Sequence, residues 1–477
     1  MYFHAYGIMK GMRIVCLVVL LGTTAWGQWD RFRGPNGTGV SESAGVPAEF
    51  GLGKNLIWRT ELPPGHSSPV MAGGRIYLTG IEHEELYTFC VEQNSGRILW
   101  KRQAPRSRRE KLHSLNNPAS PTPVTDGDNV YSFFPDFGLL SYTRDGKERW
   151  RLPLGPFRNV YGIGASPVLA DDVVVLVIDQ DKNSFIVAAG QSDGKVRWQK
   201  PRPEALSGAS TPAVVKNAGG PSMILAPASF RMDVYSARNG EAVWWVRGLP
   251  SEMKSVPVVV GNSVYVSGFN TPENDPGRQV ALPTWQELLA RNDANKDGAI
   301  QKEEVSDART LRYWEFIDTE GHGRIVEAEW NLHLAVMGAE NGLYVFPMGS
   351  RGDVTSKLLW KYQRSVPQLP SVVVYRDVVY MLNDKGVLTT LDAKTGEMLR
   401  QDRVRGQSDN YYASPVAGDG KVFLASHSGV VAVIRAGAQQ ELLAANALNE
   451  EIFATPALDE GRLYVRTVSA LYCFGIR

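Results

Sequence analysis

Oxygen-bearing side chains recur at fixed intervals in one stretch of the chain, at Asp293, Asn295, Asp297, Gln301 and Glu304. Calcium takes roughly six to eight hard oxygen ligands, and a twelve-residue loop supplies them from alternate positions. Asp293, Asn295 and Asp297 fill positions one, three and five. Gly298 permits the sharp turn at position six, and Ala299 offers its carbonyl at position seven. Gln301 acts directly or through water, and Glu304 closes the site with both carboxylate oxygens. Ile300 is placed to pair with a sister loop.

That spacing is the EF-hand loop. A second copy begins 25 residues later, from Asp318 to Glu329. Asp318, Glu320, the Arg324 carbonyl and Glu329 fall on ligand positions, with Gly323 at the turn. His322 stands at position five, where imidazole is a poor calcium ligand. The short spacing resembles EF-hand pairs of bacterial secreted proteins. TWQELLARN and VSDARTLRYWEFI, which flank the first loop and lead to the second, are helical in pattern.

No catalytic constellation emerges. The seven histidines show no metal-ligand spacing to a neighbour, and no G-x-S-x-G elbow or P-loop occurs. His66-Ser67-Ser68 looks like a nucleophile site. Ser68, however, belongs to a recurring Ser/Thr-Pro signal, which makes it a repeat residue.

The elements around the loops form that repeat. Its signal falls at Ser68-Pro69, Thr122-Pro123, Ser166-Pro167, Thr211-Pro212, Val256-Pro257, Pro370-Ser371, Ser414-Pro415 and Thr455-Pro456. The steps from Pro123 to Pro167, Pro212 and Pro257 are 44, 45 and 45 residues, and Pro415 to Pro456 is 41. Each unit reads as four short strands, clearest in residues 161–200. A period in the forties with four strands per unit is a propeller signature. The expected fold is all-β: an eight-bladed propeller of four-stranded blades with a small α-helical EF-hand insertion.

Five units end in tryptophan, at Trp100, Trp150, Trp198, Trp245 and Trp360, whereas Leu399 and Leu443 take that place in two others. The eighth unit stops at LYCFGIR without a fourth strand. Residues 55–59, with Trp58, are expected to complete that blade and close the ring, because an open sheet edge attracts foreign strands.

The expected order is a signal peptide at 1–27, a lead-in at 28–54, propeller at 55–270, the EF-hand insertion at 271–331 and propeller again at 332–477. The signal peptide rests on a basic start, the apolar run MRIVCLVVLLGTTAWG, and Ala25 and Gly27 before a cleavage site. Without it the chain has 49 basic and 50 acidic residues, a net charge of −1, and no transmembrane segment is expected. That balance argues against general nucleic-acid binding. Cys90 and Cys473 lie in third strands of neighbouring units, and two buried thiols are the plainer reading beside a disulfide. The basic run 101–111 reads as a solvated loop, and Arg351-Gly352-Asp353 as a turn.

LDAKTGEML at 391–399 and LYTFCVEQNSGRILW at 86–100 resemble the PQQ-type propeller repeat, A-x-D-x-x-T-G-x-x-x-W. The match is cleanest at Leu391-Asp392-Ala393-Lys394-Thr395-Gly396. Two branches share such repeats: the quinoprotein alcohol dehydrogenases and the BamB-like outer-membrane assembly propellers. FRGPNGTGV is similar to the lead-in of secreted propellers of the second branch. In the dehydrogenases an adjacent cysteine pair holds the quinone, and Glu, Asn and Asp hold calcium in the central funnel. This chain has no Cys-Cys pair, and the Glu/Asn/Asp set finds no residue-by-residue match. The resemblance therefore implies a non-enzymatic binding or scaffolding protein of the periplasm or exterior. The expected partner is a protein or cell-envelope component, with outer-membrane protein assembly as the implied setting. Calcium is expected from the EF-hand spacing of the insertion, and PQQ is not expected. A PQQ-dependent dehydrogenase is the alternative.

Overall fold

The computed structural model describes Met1 and residues 29–349, 351–404 and 408–476; the expected signal peptide lies outside this set. Eight sheets of four antiparallel strands follow one another as propeller blades. In seven of them the strands run in chain order from first to fourth. The sequence pattern explains the layering. Val173–Ile178, a second strand, is buried at all six positions, because the adjacent blades cover both of its faces. The outer strand Val196–Pro201 alternates, with Trp198 turned inward and its neighbours exposed.

The eighth blade closes the ring as the missing strand required. Leu56–Glu61 pairs antiparallel with Ala470–Gly475, setting Trp58 opposite Cys473. Trp58 donates from its indole to Gln93 O of the first blade at 3.0 Å. The indoles of Trp100, Trp150 and Trp198 make the same bond to Arg144, Gln191 and Ala237 of the following blade. Each of these rings lies flat on a glycine of that blade. A Cβ at Gly96 would come within 2.6 Å of Trp58, and one at Gly194 within 2.6 Å of Trp150. Only glycine lets the indole sit there.

Blade four corrects the sequence reading. Trp244, not Trp245, is fully buried and packs on Gly349. The glycine-to-tryptophan interval decides it: Gly96–Trp100, Gly146–Trp150 and Gly194–Trp198 are four apart, and so are Gly240 and Trp244. Arg351-Gly352-Asp353 is not a bare turn. Gly352–Asp353 adds a fifth, parallel strand to blade four beside Trp244 and Trp245, covering its edge. The first four residues of the basic run, 101–104, end a fourth strand (Ile98–Ala104), and beyond it Arg106 is paired with the buried Asp136. The run is a strand end and an anchored link.

The Ser/Thr-Pro signal has a single physical meaning. The backbone N–H of each such residue donates to the hydroxyl of its counterpart in the next blade. Ser68 bonds to Thr122, Thr122 to Ser166, and Ser166 to Thr211, all at 2.9 Å. Val256 bonds to Ser371, Ser371 to Ser414, Ser414 to Thr455, and Thr455 back to Ser68, all at 3.0 Å. The belt breaks only at Thr211, because Val256 has no hydroxyl. There Ser210 donates to Ser255 O at 2.6 Å instead. Ser68 is thus a structural residue of the belt. Cys90 and Cys473 are both free buried thiols.

Candidate metal centre and the cleft beside it

The fifth blade leaves its sheet after Ser263–Gly268 and re-enters it at Gly342–Pro347. Between them stand four helices: α1 (Trp285–Asn292), α2 (Ala308–Arg312), α3 (Trp314–Ile317) and α4 (Glu327–Gly338). Thr284 and Glu287 cap α1 reciprocally, the signature of an N-terminal capping box. Residue 332, where the propeller was expected to resume, lies inside α4. NLHLAV alternates like a strand, but Trp330, His333 and Met337 recur at helical spacing and are buried. Trp285, Leu288, Trp314, Ile317 and Trp330 build an apolar core belonging to this segment alone.

Three buried asparagines hold the neck. Asn274 donates to the carbonyls of Val336, Met337 and Ala339, satisfying the otherwise orphaned end of α4. Asn341 accepts from the Asn270 N–H at 2.8 Å and donates to Thr271 O at 2.7 Å. The entry and exit strands are thereby tied together at one point.

The two twelve-residue loops share one hydrogen-bond template. At position one, Asp293 accepts from the N–H groups of Asp297 and Gly298, both at 3.1 Å. Asp318 accepts from those of His322 and Gly323 at 3.0 and 2.9 Å. At position twelve, Glu304 accepts from Asn295 N and Gln301 N, and Glu329 from Glu320 N and Val326 N. Gly298 and Gly323 have φ of 79° and 77°, a left-handed turn suited to glycine. The loops meet back to back, with Ile300 opposite Ile325 and Gln301 opposite Arg324.

The loops differ in their side chains. Asn295 and Gln301 turn toward Asp297 in the first, with Nδ2 to Oδ2 at 3.3 Å and Nε2 to Oδ2 at 2.7 Å. The Asp297 carboxyl is held below its usual range by the Ala299 N–H. The donors of Asp293, Asn295, Asp297 and Glu304 with the Ala299 carbonyl fit a calcium ion in number and kind. In the second loop the Glu320 carboxylate is ion-paired with Lys182 of blade three.

The segment stands on the face of the propeller that carries the links between blades. Second-to-third strand links open on that same face, so an insertion there has no other place to go. Arg158, in the link between blades two and three, donates to Thr319 O at 3.4 Å. A cleft of about 790 Å³ separates the segment from the blades, lined among others by Phe157, Tyr161, Glu252, Tyr313 and His333. Burial lowers the His333 pKa to about 4, with Arg309 adding to the effect, so its imidazole faces the cleft neutral. Nothing along the chain pointed to this cleft, because its walls come from residues far apart in sequence.

At the opposite end of the axis the lead-in does more than precede the closing strand. Met71 N donates to Trp29 O, and Thr125 N to Asp30 O. Arg31 donates to Leu169 O, Asn36 accepts from Val214 N, and Arg33 donates to Val372 O at 2.6 Å. Ser41 N donates to Ala417 O. Residues 29–41 thus bond to the inner part of six blades and cross the channel. Arg33 is wholly buried, and burial lowers its pKa to about 9.

The family model described as outer membrane protein assembly factor BamB matches residues 53–160, 90–290 and 349–476. The chain belongs to this family. Among curated proteins none matches significantly. Solved structures share the BamB-type fold at low identity. BamB from Moraxella catarrhalis is 12% identical with a TM-score of 0.56, over 88% of this chain and 99% of that one. A europium-containing methanol dehydrogenase is 10% identical with a TM-score of 0.61, over 94% and 98%. The quinohemoprotein alcohol dehydrogenase from Comamonas testosteroni is 12% identical with a TM-score of 0.58, over 94% and 80%.

Within this BamB family frame, a quinone site of the cysteine-pair type does not fit. Cys90 and Cys473 are buried in the third strands of different blades, away from the inner strands. Burial pushes both thiols up to about 12. Among the described residues, no helix is long and apolar enough to cross a membrane.

Proposed function

We propose that this BamB-family propeller is an exported, non-catalytic binding scaffold of the cell envelope, serving outer-membrane protein assembly. Its insertion is an EF-hand pair ordered by calcium at Asp293–Glu304. The observation that carries the calcium reading is the inward-turned carboxylate pair, Asp293 and Glu304, each held by loop N–H groups. The family description supplies the assembly role, and the cleft beside the insertion supplies a binding surface whose shape the insertion sets. The dehydrogenase reading has only fold likeness behind it, and a fold does not carry a cofactor with it.

The test is calcium-dependent capture from envelope extract, with the mature chain and Glu304→Gln as baits. The expected result is an outer-membrane assembly protein retained with calcium and lost with chelator or in Glu304→Gln. An unchanged partner set in chelator would overturn the calcium-ordered scaffold. Dye-linked alcohol oxidation that requires added PQQ would overturn the non-catalytic reading.

A further inference from the structure

We propose that the second loop is a separate site for a divalent transition cation of the zinc class, held by Asp318, His322 and Glu329. The three side chains converge: one ligand atom from each lies within 4.8 Å of the others. His322 Nδ1 is 3.0 Å from Asp318 Oδ1, and Nε2 is 3.8 Å from Glu329 Oε2. The imidazole lies between the carboxylates of loop positions one and twelve.

Charge makes the case independently of that spacing. The Asp318 and Glu329 side chains are only 5% and 6% exposed. Among the described ion pairs neither has a lysine or arginine; His322 is their one shared partner. The loop N–H groups that hold these two carboxylates carry no net charge, so a cation between them adds the charge balance that burial calls for. A divalent ion balances both, and an imidazole nitrogen is a common ligand for such an ion.

The donor set selects the ion. Position three has left the site, because Glu320 is bound to Lys182. Position nine is Val326, with no side-chain donor. Only Asp318, Glu329 and the Arg324 carbonyl remain as oxygens, too few for calcium's roughly six to eight. Nitrogen at position five suits zinc, which accepts His and carboxylate ligands and works with three protein ligands and water. The same loop touches the propeller through Lys182 and Arg158, so a cation there fixes the insertion on blades two and three. This site stands apart from the calcium reading of the first loop and fails or survives without it.

The experiment uses the full mature chain, stripped by chelator and then kept in excess calcium. Zn2+ is titrated against a chromophoric chelator, and Co2+ is followed by its visible bands. One Zn2+ per chain is expected, retained in excess calcium and in Glu304→Gln. In His322→Gln it should weaken by at least about tenfold, and the cobalt bands should lose their nitrogen-ligand character. His322→Asp should exchange zinc for a second calcium in calorimetry. His322 is on the surface of its loop, and the insertion's own transition in a calorimetric melt reports whether each variant still folds. Equal zinc affinity in His322→Gln, zinc displaced by calcium in the parent, or no zinc bound at all would each overturn the proposal.

Discussion

A single indole decides how two blades meet. Trp58, Trp100, Trp150 and Trp198 each combine a flat contact on glycine with a hydrogen bond to a carbonyl of the next blade. Trp244 makes the same glycine contact and is completely buried, while its neighbour Trp245 is half-buried. Trp244→Ala should therefore cost about 3–5 kcal/mol, the range for emptying a buried aromatic site. Trp245→Ala should cost clearly less. Urea denaturation of the two variants measures the difference, and equal midpoints would contradict the assignment of Trp244 as the docking residue.

At the scale of the strand, closure and the lead-in are separable. A chain beginning at residue 55 keeps the closing strand but loses the segment that crosses the channel. A chain beginning at residue 62 loses both and exposes the edge of Ala470–Gly475. The second should aggregate or melt well below the first, as light scattering during thermal melts would show. The closing strand is also pinned by charge. Glu450 accepts from Thr467, Ser469 and Tyr472 at 2.6, 2.5 and 2.7 Å, and Arg59 of the closing strand lies 3.5 Å away. Burial alone would raise its pKa, but these donors and Arg59 outweigh it and bring it down to about 2. A depressed carboxyl pKa stabilises above the unfolded value of 4.5 and is lost as pH falls toward 2. In the Glu450→Gln variant, acid titration of stability should flatten across that window, by on the order of 1–2 kcal/mol for a group still partly wetted.

For the whole molecule, the insertion is a satellite with its own core, joined through the asparagine neck and a few surface contacts. On the proposed calcium reading, an ion bound only to the folded loop would stabilise it by about 2.7 kcal/mol at a hundredfold excess over the dissociation constant. Scanning calorimetry should place most of that gain in a transition of the insertion and little in the ring. Glu304→Gln should remove it. A uniform shift of the whole profile would mean that the insertion and ring unfold as one unit.

The sequence by itself determined the repeat, and through it the fold. A unit of four short strands cannot bury both faces alone, so eight copies and a missing last strand already imply a closed ring. It also carried the spacing on which the proposed calcium loop rests, since the oxygen-bearing residues from Asp293 to Glu304 lie in one short stretch. It named Ser68 as a repeat residue, though the hydroxyl belt that gives the signal its purpose joins residues roughly 45 apart and one full circuit away. Tertiary structure decided the rest. The four-residue interval from Gly240 already marks Trp244 along the chain, but where the insertion ends depended on α4 burying Trp330 and His333 rather than on local alternation. The lead-in crossed the channel only because its partners lie on six separate blades. Asp318, His322 and Glu329 meet through their own loop's N–H groups, whereas the pairing of Glu320 with Lys182 was set by the loop's packing against the propeller. Short-range spacing is written along the chain, whereas burial and long-range pairing exist only once the ring has closed.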